Sequence, residues 1–173
     1  MRNLIVQAPL AVRIDGVPVL LRNLQRSVPI DTKRLCRMAE KILAAARVEK
    51  TELSIILVSD RRMRSLNERY RKKNRATDVL AFPLAMDGAG QPRCAFRIRP
   101  QAQPPQLLGD VVIALSTAQR QAVALGHGLH EEVARLLVHG VLHLLGYDHE
   151  QGPREAARMI RQEHRLLRIV AAT

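Results

Sequence analysis

Cysteine is almost missing from this chain of 173 residues: Cys36 and Cys94 stand far apart, and no Cys-x-x-Cys occurs. Neither a disulfide framework nor a thiolate zinc site is suggested, and the usage fits a reducing cytosol. Aromatic residues are as scarce, with two Tyr, two Phe and no Trp, so platforms for stacking a nucleobase are few. Long apolar runs are missing too. The longest stretch free of Asp, Glu, Lys and Arg is the 12 residues from Leu136 to Tyr147, far below the ~18–20 that span a bilayer. At the N-terminus only Leu4, Ile5 and Val6 are consecutively apolar, where a secretory h-region needs ~7–15 residues. A cytoplasmic location with no membrane partner is expected. Negative charge is also short: 16 Asp and Glu face 28 Lys and Arg, a net +12. Such a field draws polyanions such as nucleic acid.

What remains is a globular balance, 47% hydrophobic and 25% charged, and a length that suits one domain over 1–173. Leu10 to Ile14 reads as a short strand closed by Asp15-Gly16. From Asp31, an N-cap after Pro29, apolar residues recur at three- and four-residue steps through Ala46 and predict an amphipathic helix; Cys36 beside that stripe reads as a packing residue. Leu53 to Val58 is a buried-strand pattern. Ser59 or Asp60 then caps a helix carrying Met63, Leu66 and Tyr70 on one side. Val79 to Phe82 and Val111 to Leu115 are two more strands. Between them, residues 86–108 hold Gly88, Gly90 and four of the nine prolines, a long loop in which only Cys94 to Ile98 can form a short strand. Three helices follow: Thr117 to Leu125, Glu131 to Leu145, and Arg154 to Val170, the last with Ala157, Met159, Ile160, Leu166, Leu167 and Val170 as its core side. Strands first and helices later predict an α+β domain with a small mixed sheet packed on helices.

The sharpest signal is His139-Gly140-Val141-Leu142-His143-Leu144-Leu145-Gly146-Tyr147-Asp148-His149. His139 and His143 lie one helical turn apart and ~40° around the axis, so both imidazoles can point to one place. Gly146 supplies the left-handed residue that ends a helix and lets His149 return toward the same point. Three neutral imidazoles leave a divalent ion its full charge and an open fourth position, the arrangement of catalytic zinc, where bound water can lose a proton near pH ~7. The site is thus expected on a helix in the C-terminal half. His127 and His130 read as loop or cap residues, and His164 as solvated. The spacing is also that of metzincin peptidases, which place a general-base Glu directly after the first His. Here that residue is Gly140. Asp148 and Glu150 flank His149 and either orient a ligand's second nitrogen or serve merely as a turn-forming Asp and an exposed Glu.

These residues resemble the signature of the YbeY family, metal-dependent endoribonucleases of ribosomal RNA maturation. Other blocks agree in order: Leu66-Asn67-Glu68-Arg69-Tyr70-Arg71, Thr77-Asp78-Val79-Leu80-Ala81-Phe82-Pro83 and Gly109-Asp110-Val111-Val112-Ile113. Ala81 departs from the family's usual Ser, and residues 1–10 and the insert after Met86 match poorly. The resemblance implies a zincin-like fold with about four strands, one Zn2+ held by His139, His143 and His149, and Arg71 as the functional arginine of an RNA-binding cleft.

Charge distribution supports that implication independently. From Arg61 to Arg75, eight of fifteen residues are Lys or Arg and one is acidic, a focused patch rather than an interspersed solvated face. Arg71 can clamp the scissile phosphate as the catalytic cation, because guanidinium matches phosphate geometry. Arg69, Lys72, Lys73 and Arg75 add backbone affinity without reading sequence. The expected activity is a zinc-dependent, single-strand-specific endoribonuclease of ribosomal RNA maturation and quality control, with the small ribosomal subunit and its assembly factors as partners. Two other readings stay open: a non-catalytic RNA-binding assembly factor with a structural metal, and a metallopeptidase.

Overall fold

The computed structural model describes residues 19–48, 51–83 and 106–171. In chain order it contains β1 (Val19–Asn23), α1 (Thr32–Ala45), β2 (Thr51–Val58), α2 (Asp60–Arg71), β3 (Val79–Pro83), β4 (Gln106–Ala114), α3 (Leu115–Leu125), α4 (Leu129–Leu144), a 3-10 turn (His149–Gln151) and α5 (Pro153–Ala171). The four strands make one mixed sheet in the order β1-β2-β4-β3. β1, β2 and β4 run parallel, with β1 at one described edge, and β3 lies at the other, antiparallel to β4.

The period-2 geometry of the strands sorts their side chains onto two unequal faces. Leu21, Leu53, Ile55, Leu57, Val111 and Ile113 point to the larger core, shared with Leu35, Ile42 and Leu43 of α1, Leu137, Val138 and Val141 of α4, and Met159 and Leu166 of α5. Ile56, Val58, Val112, Ala114 and Leu80 point the other way and are covered by Met63 and Leu66 of α2, with Phe82 at the margin. Covering on both faces explains why β2 is buried without interruption from Leu53 to Val58. α4 is the central helix, buried around most of its circumference.

Local chemistry sets the boundaries. Asp31 caps α1, its carboxylate accepting from the Arg34 amide at 3.0 Å. Of the two caps expected for α2, Ser59 occupies the cap position and Asp60 opens the helix, where it pairs with Arg120 at 2.7 Å. α2 ends where Lys72 turns left-handed at φ 59°.

Some expectations fall outside what the structure describes and others need correction. The strand expected at Leu10 to Ile14 and that at Cys94 to Ile98 lie outside the described residues. The first described strand is β1, which the alternation argument passed over because Val19-Leu20-Leu21 is continuous rather than alternating. β4 begins at Gln106, so residues 106–108 extend a strand instead of a loop, and Leu115 already belongs to α3. On α5 Met159 and Leu166 are buried and Leu167 and Val170 pack against the core as expected, while Ala157 and Ile160 are exposed.

Candidate metal centre and nucleic-acid interface

α4 delivers His139 and His143 with their Nε2 atoms 3.1 Å apart. Two ligands on a tetrahedral zinc with ~2.0–2.1 Å bonds stand about 3.3–3.4 Å apart, so this pair already has nearly the required bite. The helix then stops in a Schellman geometry: the Gly146 amide donates to the His143 carbonyl and the Tyr147 amide to that of Leu142, both at 3.0 Å, with Gly146 left-handed at φ 84°. That reversal brings His149 back, its ring centroid 5.4 Å from His139 and 5.2 Å from His143. One ligand nitrogen from each of the three rings lies within 4.8 Å of the others. His139 and His143 are half-buried, and His149 is exposed.

The donor set fits a divalent cation. Nδ1 of His139 donates to Oε1 of Glu163 on α5 at 2.6 Å, which leaves Nε2 as the lone-pair nitrogen facing the other rings. Burial, reinforced by the neighbouring His139 and His149, pushes the His143 pKa down and keeps that ring neutral. The hydrogen bond from His139 holds the Glu163 carboxyl below its usual range. His139, His143 and His149 would therefore be the ligands, with Glu163 orienting the first. Sequence reasoning missed Glu163: it lies 24 residues from His139, on a helix whose register against α4 no local spacing reveals. Neither flanking acid orients a ring. Asp148 caps the 3-10 turn by accepting from the Glu150 amide at 2.9 Å, a bond that lowers its pKa. Glu150 is exposed and its carboxylate faces Arg71 rather than a histidine ring.

Gly140 has a packing reason. A Cβ at this position would stand 2.7 Å from Cγ1 of Val111, because α4 lies directly on β4 here. The Glu that a metzincin needs at this point cannot be accommodated without moving the helix.

Arg71 reaches the site from the opposite face of the sheet. Its Nη2 stands 3.8 Å from Oε1 of Glu150, the residue after His149. Arg71, Lys73 and Arg75 line a cavity of about 300 Å³ with Asp78, Thr117 and Gln121. Asn67, buried in α2, shapes it by donating to the Arg75 carbonyl at 2.7 Å. Burial raises the Asp78 pKa, but hydrogen bonds from Gln121, the Val79 amide and Thr77 outweigh it and hold the carboxyl ionised. All eight Lys and Arg residues between 61 and 75 are exposed. Arg69 and Lys72 belong to this strip outside the cavity, Lys72 Nζ contacting the Arg69 carbonyl at 3.5 Å. The remaining histidines stay apart: His127 pairs with Glu132 at 3.2 Å, His130 sits at the start of α4, and His164 is exposed.

The family model described as "Endoribonuclease YbeY" matches residues 20–171. The chain is 42% identical over 149 residues to "Endoribonuclease YbeY" of Aquifex aeolicus, covering 86% of this chain and 89% of that protein. It is 43% identical over 155 residues to the same-named protein of Pelotomaculum thermopropionicum, covering 87% and 95%. The solution structure of a Thermotoga maritima protein shares the fold, with a TM-score of 0.58 and 24% identity across 87% of this chain and 89% of that one. A match spanning β1 to the end of α5, with the histidine tripod and the basic strip inside it, shows that the chain belongs to the YbeY endoribonuclease family.

Proposed function

We propose that this chain is a zinc-dependent endoribonuclease that cuts single-stranded RNA, with ribosomal RNA under maturation or quality control as its substrate. The observation carrying this reading is the junction of the two elements: a convergent, half-open tripod of imidazoles near Arg71, which belongs to a wholly exposed cationic strip from Arg61 to Arg75. His139, His143 and His149 hold the ion. A bound zinc supplies Lewis acidity toward a phosphoryl oxygen and a lowered pKa for water. Arg71 leaves its weak, exposed partner Glu150 for a phosphate, where its planar fork stabilises charge developing on the transferred phosphoryl group. Arg69, Lys72, Lys73 and Arg75 hold the flanking backbone without reading sequence. The single domain works in the cytoplasm beside the small ribosomal subunit and its assembly factors; no helix among the described residues is long and apolar enough to cross a membrane.

The test uses Arg71→Glu and His143→Ala, assayed for zinc by elemental analysis and for cleavage of an unstructured RNA with and without chelator. Arg71→Glu should lose cleavage and keep zinc, whereas His143→Ala should lose both while remaining folded. Processing that survives folded, zinc-free His143→Ala would refute catalysis and leave an RNA-binding assembly factor. The ends identify the nucleophile: a 2′,3′-cyclic phosphate indicates the neighbouring hydroxyl, and a 5′-phosphate indicates water.

A further inference from the structure

A chain with four aromatic residues still presents a ring at the place where RNA would lie. Tyr70 is 51% exposed on the last turn of α2. Its ring meets Phe82 of β3 edge-on, with centroids 5.0 Å apart and planes at 66°, and the Arg69 guanidinium lies 6.0 Å from the ring centroid. We propose that Tyr70, braced by Phe82, is a stacking platform for one base of single-stranded RNA beside the cleavage site. The proposal rests on the ribonuclease reading above and names how that site selects its substrate.

Three features converge on this occupant. The contact with Phe82 fixes the plane of the tyrosine ring in advance, so a base that stacks on it does not first have to order it. The ring is the one exposed large apolar group in a strip that holds eight exposed cations between residues 61 and 75. An apolar partner surface would strand those charges, whereas a nucleotide presents a flat base between phosphates and matches both. The location is the third feature. Tyr70 is covalently next to Arg71, whose guanidinium reaches the residue after His149. A strand with its phosphate at Arg71 therefore has a base within reach of Tyr70. Stacking tolerates any base but requires it unpaired, so the platform gives preference for single strands without preference for sequence.

The test exploits the absence of tryptophan. With only two tyrosines in the chain, Tyr147→Phe leaves Tyr70 as the single tyrosine emitter. Titration with a short unstructured oligoribonucleotide, checked intact afterwards, should quench that emission, and a strand of equal length and charge made of abasic nucleotides should not. Removing the ring as Tyr70→Ala should weaken binding of the base-bearing strand by about 5- to 150-fold and leave the abasic strand unchanged. Tyr70→Phe should restore affinity, and Tyr70→Leu, which keeps the bulk against Phe82, should not. Unchanged emission, equal quenching by both strands, or full affinity in a folded Tyr70→Leu would each overturn the platform. Emission already quenched in the free protein and insensitive to RNA would mean that another segment or partner covers the ring, and would also overturn it. Quenching with no cleavage of any RNA would support the platform while refuting the nuclease reading.

Discussion

Replacing Gly140 by Ala tests how closely the metal-bearing helix rests on the sheet. The new Cβ would stand 2.7 Å from Cγ1 and 3.1 Å from Cγ2 of Val111. Val111 is fully buried and paired on both sides, with Ile55 of β2 and Ala81 of β3. A β-branched side chain with a restricted χ1 cannot swing its methyls aside there. Overpacking of this kind costs about 1–3 kcal/mol, while exchanging a helical Gly for Ala regains roughly 0.5–1 kcal/mol of backbone entropy. The net expectation is a loss between about zero and 2.5 kcal/mol. Coupling is the sharper quantity. Val111→Ala alone forgoes about 1.6 kcal/mol of methyl burial plus a cavity, but in the double variant the methyl at 140 moves into the vacated space. Urea denaturation of the two single variants and the double should therefore show a favourable coupling of roughly 1–3 kcal/mol. Additivity within about 0.5 kcal/mol would refute the contact. The same geometry predicts that Gly140→Glu displaces α4 and scatters the histidines instead of installing a peptidase base.

Other outcomes follow from single contacts. Glu163→Ala frees the His139 ring to choose either tautomer, so zinc affinity measured against a competing chelator should fall about 10- to 100-fold, and unchanged affinity would remove Glu163 from the site. Glu132 is fully buried and its partner Arg135 is 43% exposed, which makes the pair asymmetric. Arg135→Met leaves a buried carboxylate with only His127 and should cost about 3–5 kcal/mol. Glu132→Gln leaves a cation that can reach water and should cost less; equal losses in chemical denaturation would contradict this burial. Asp78 has a lowered pKa in the fold, so its contribution is complete above the ordinary value of 3.8 and disappears as pH falls through the folded value. Stability measured across the acid range should accordingly drop less steeply in Asp78→Asn than in the unaltered chain.

What the sequence made legible was local. His139, His143, Gly146 and His149 carry their geometry in their spacing, since one helical turn and one left-handed residue suffice to bring three rings together. Asp31 and Ser59 announce their helices because capping needs only neighbours within three residues. Contacts set by packing were not legible. Glu163 looked like one more charge on an arginine-rich helix until α5 was seen to cross α4. Gly140 was notable for lacking a carboxylate, yet its cause lies on β4, at Val111. Spacing puts Met63, Leu66 and Tyr70 on one side of α2 but does not say how far that side is covered, and Tyr70 is exposed. α2 covers the smaller face of the sheet only as far as Met63, Leu66 and Asn67, so its last turn overhangs the edge.

That overhang is what joins the two halves of the site. α4 lies on one face of the sheet, near Val111 and Ala81, and α2 on the other, near Leu80. Helices on opposite faces meet only around an edge; of the two edge strands among the described residues, β1 and β3, β3 is the one with Ala81 against the core of α4 and Leu80 under α2. Around it Arg71 comes within 3.8 Å of Glu150. The distance between the phosphate clamp and the tripod therefore depends on the register of one short strand, where a slip of one residue would exchange Leu80 and Phe82 for Val79 and Ala81 on every contact. Both ends of β3 oppose such a slip. At its start the Asp78 carbonyl accepts from the Ala114 amide at 2.8 Å, while the Asp78 carboxylate is held by Gln121 of α3. At its finish Pro83 has no amide to donate, so pairing cannot continue in another register. Asp78→Asn should thus lower cleavage more than it lowers RNA affinity, because it loosens the link between the two halves while leaving every cation in place. A variant whose cleavage and affinity fall in equal proportion would place Asp78 in binding alone.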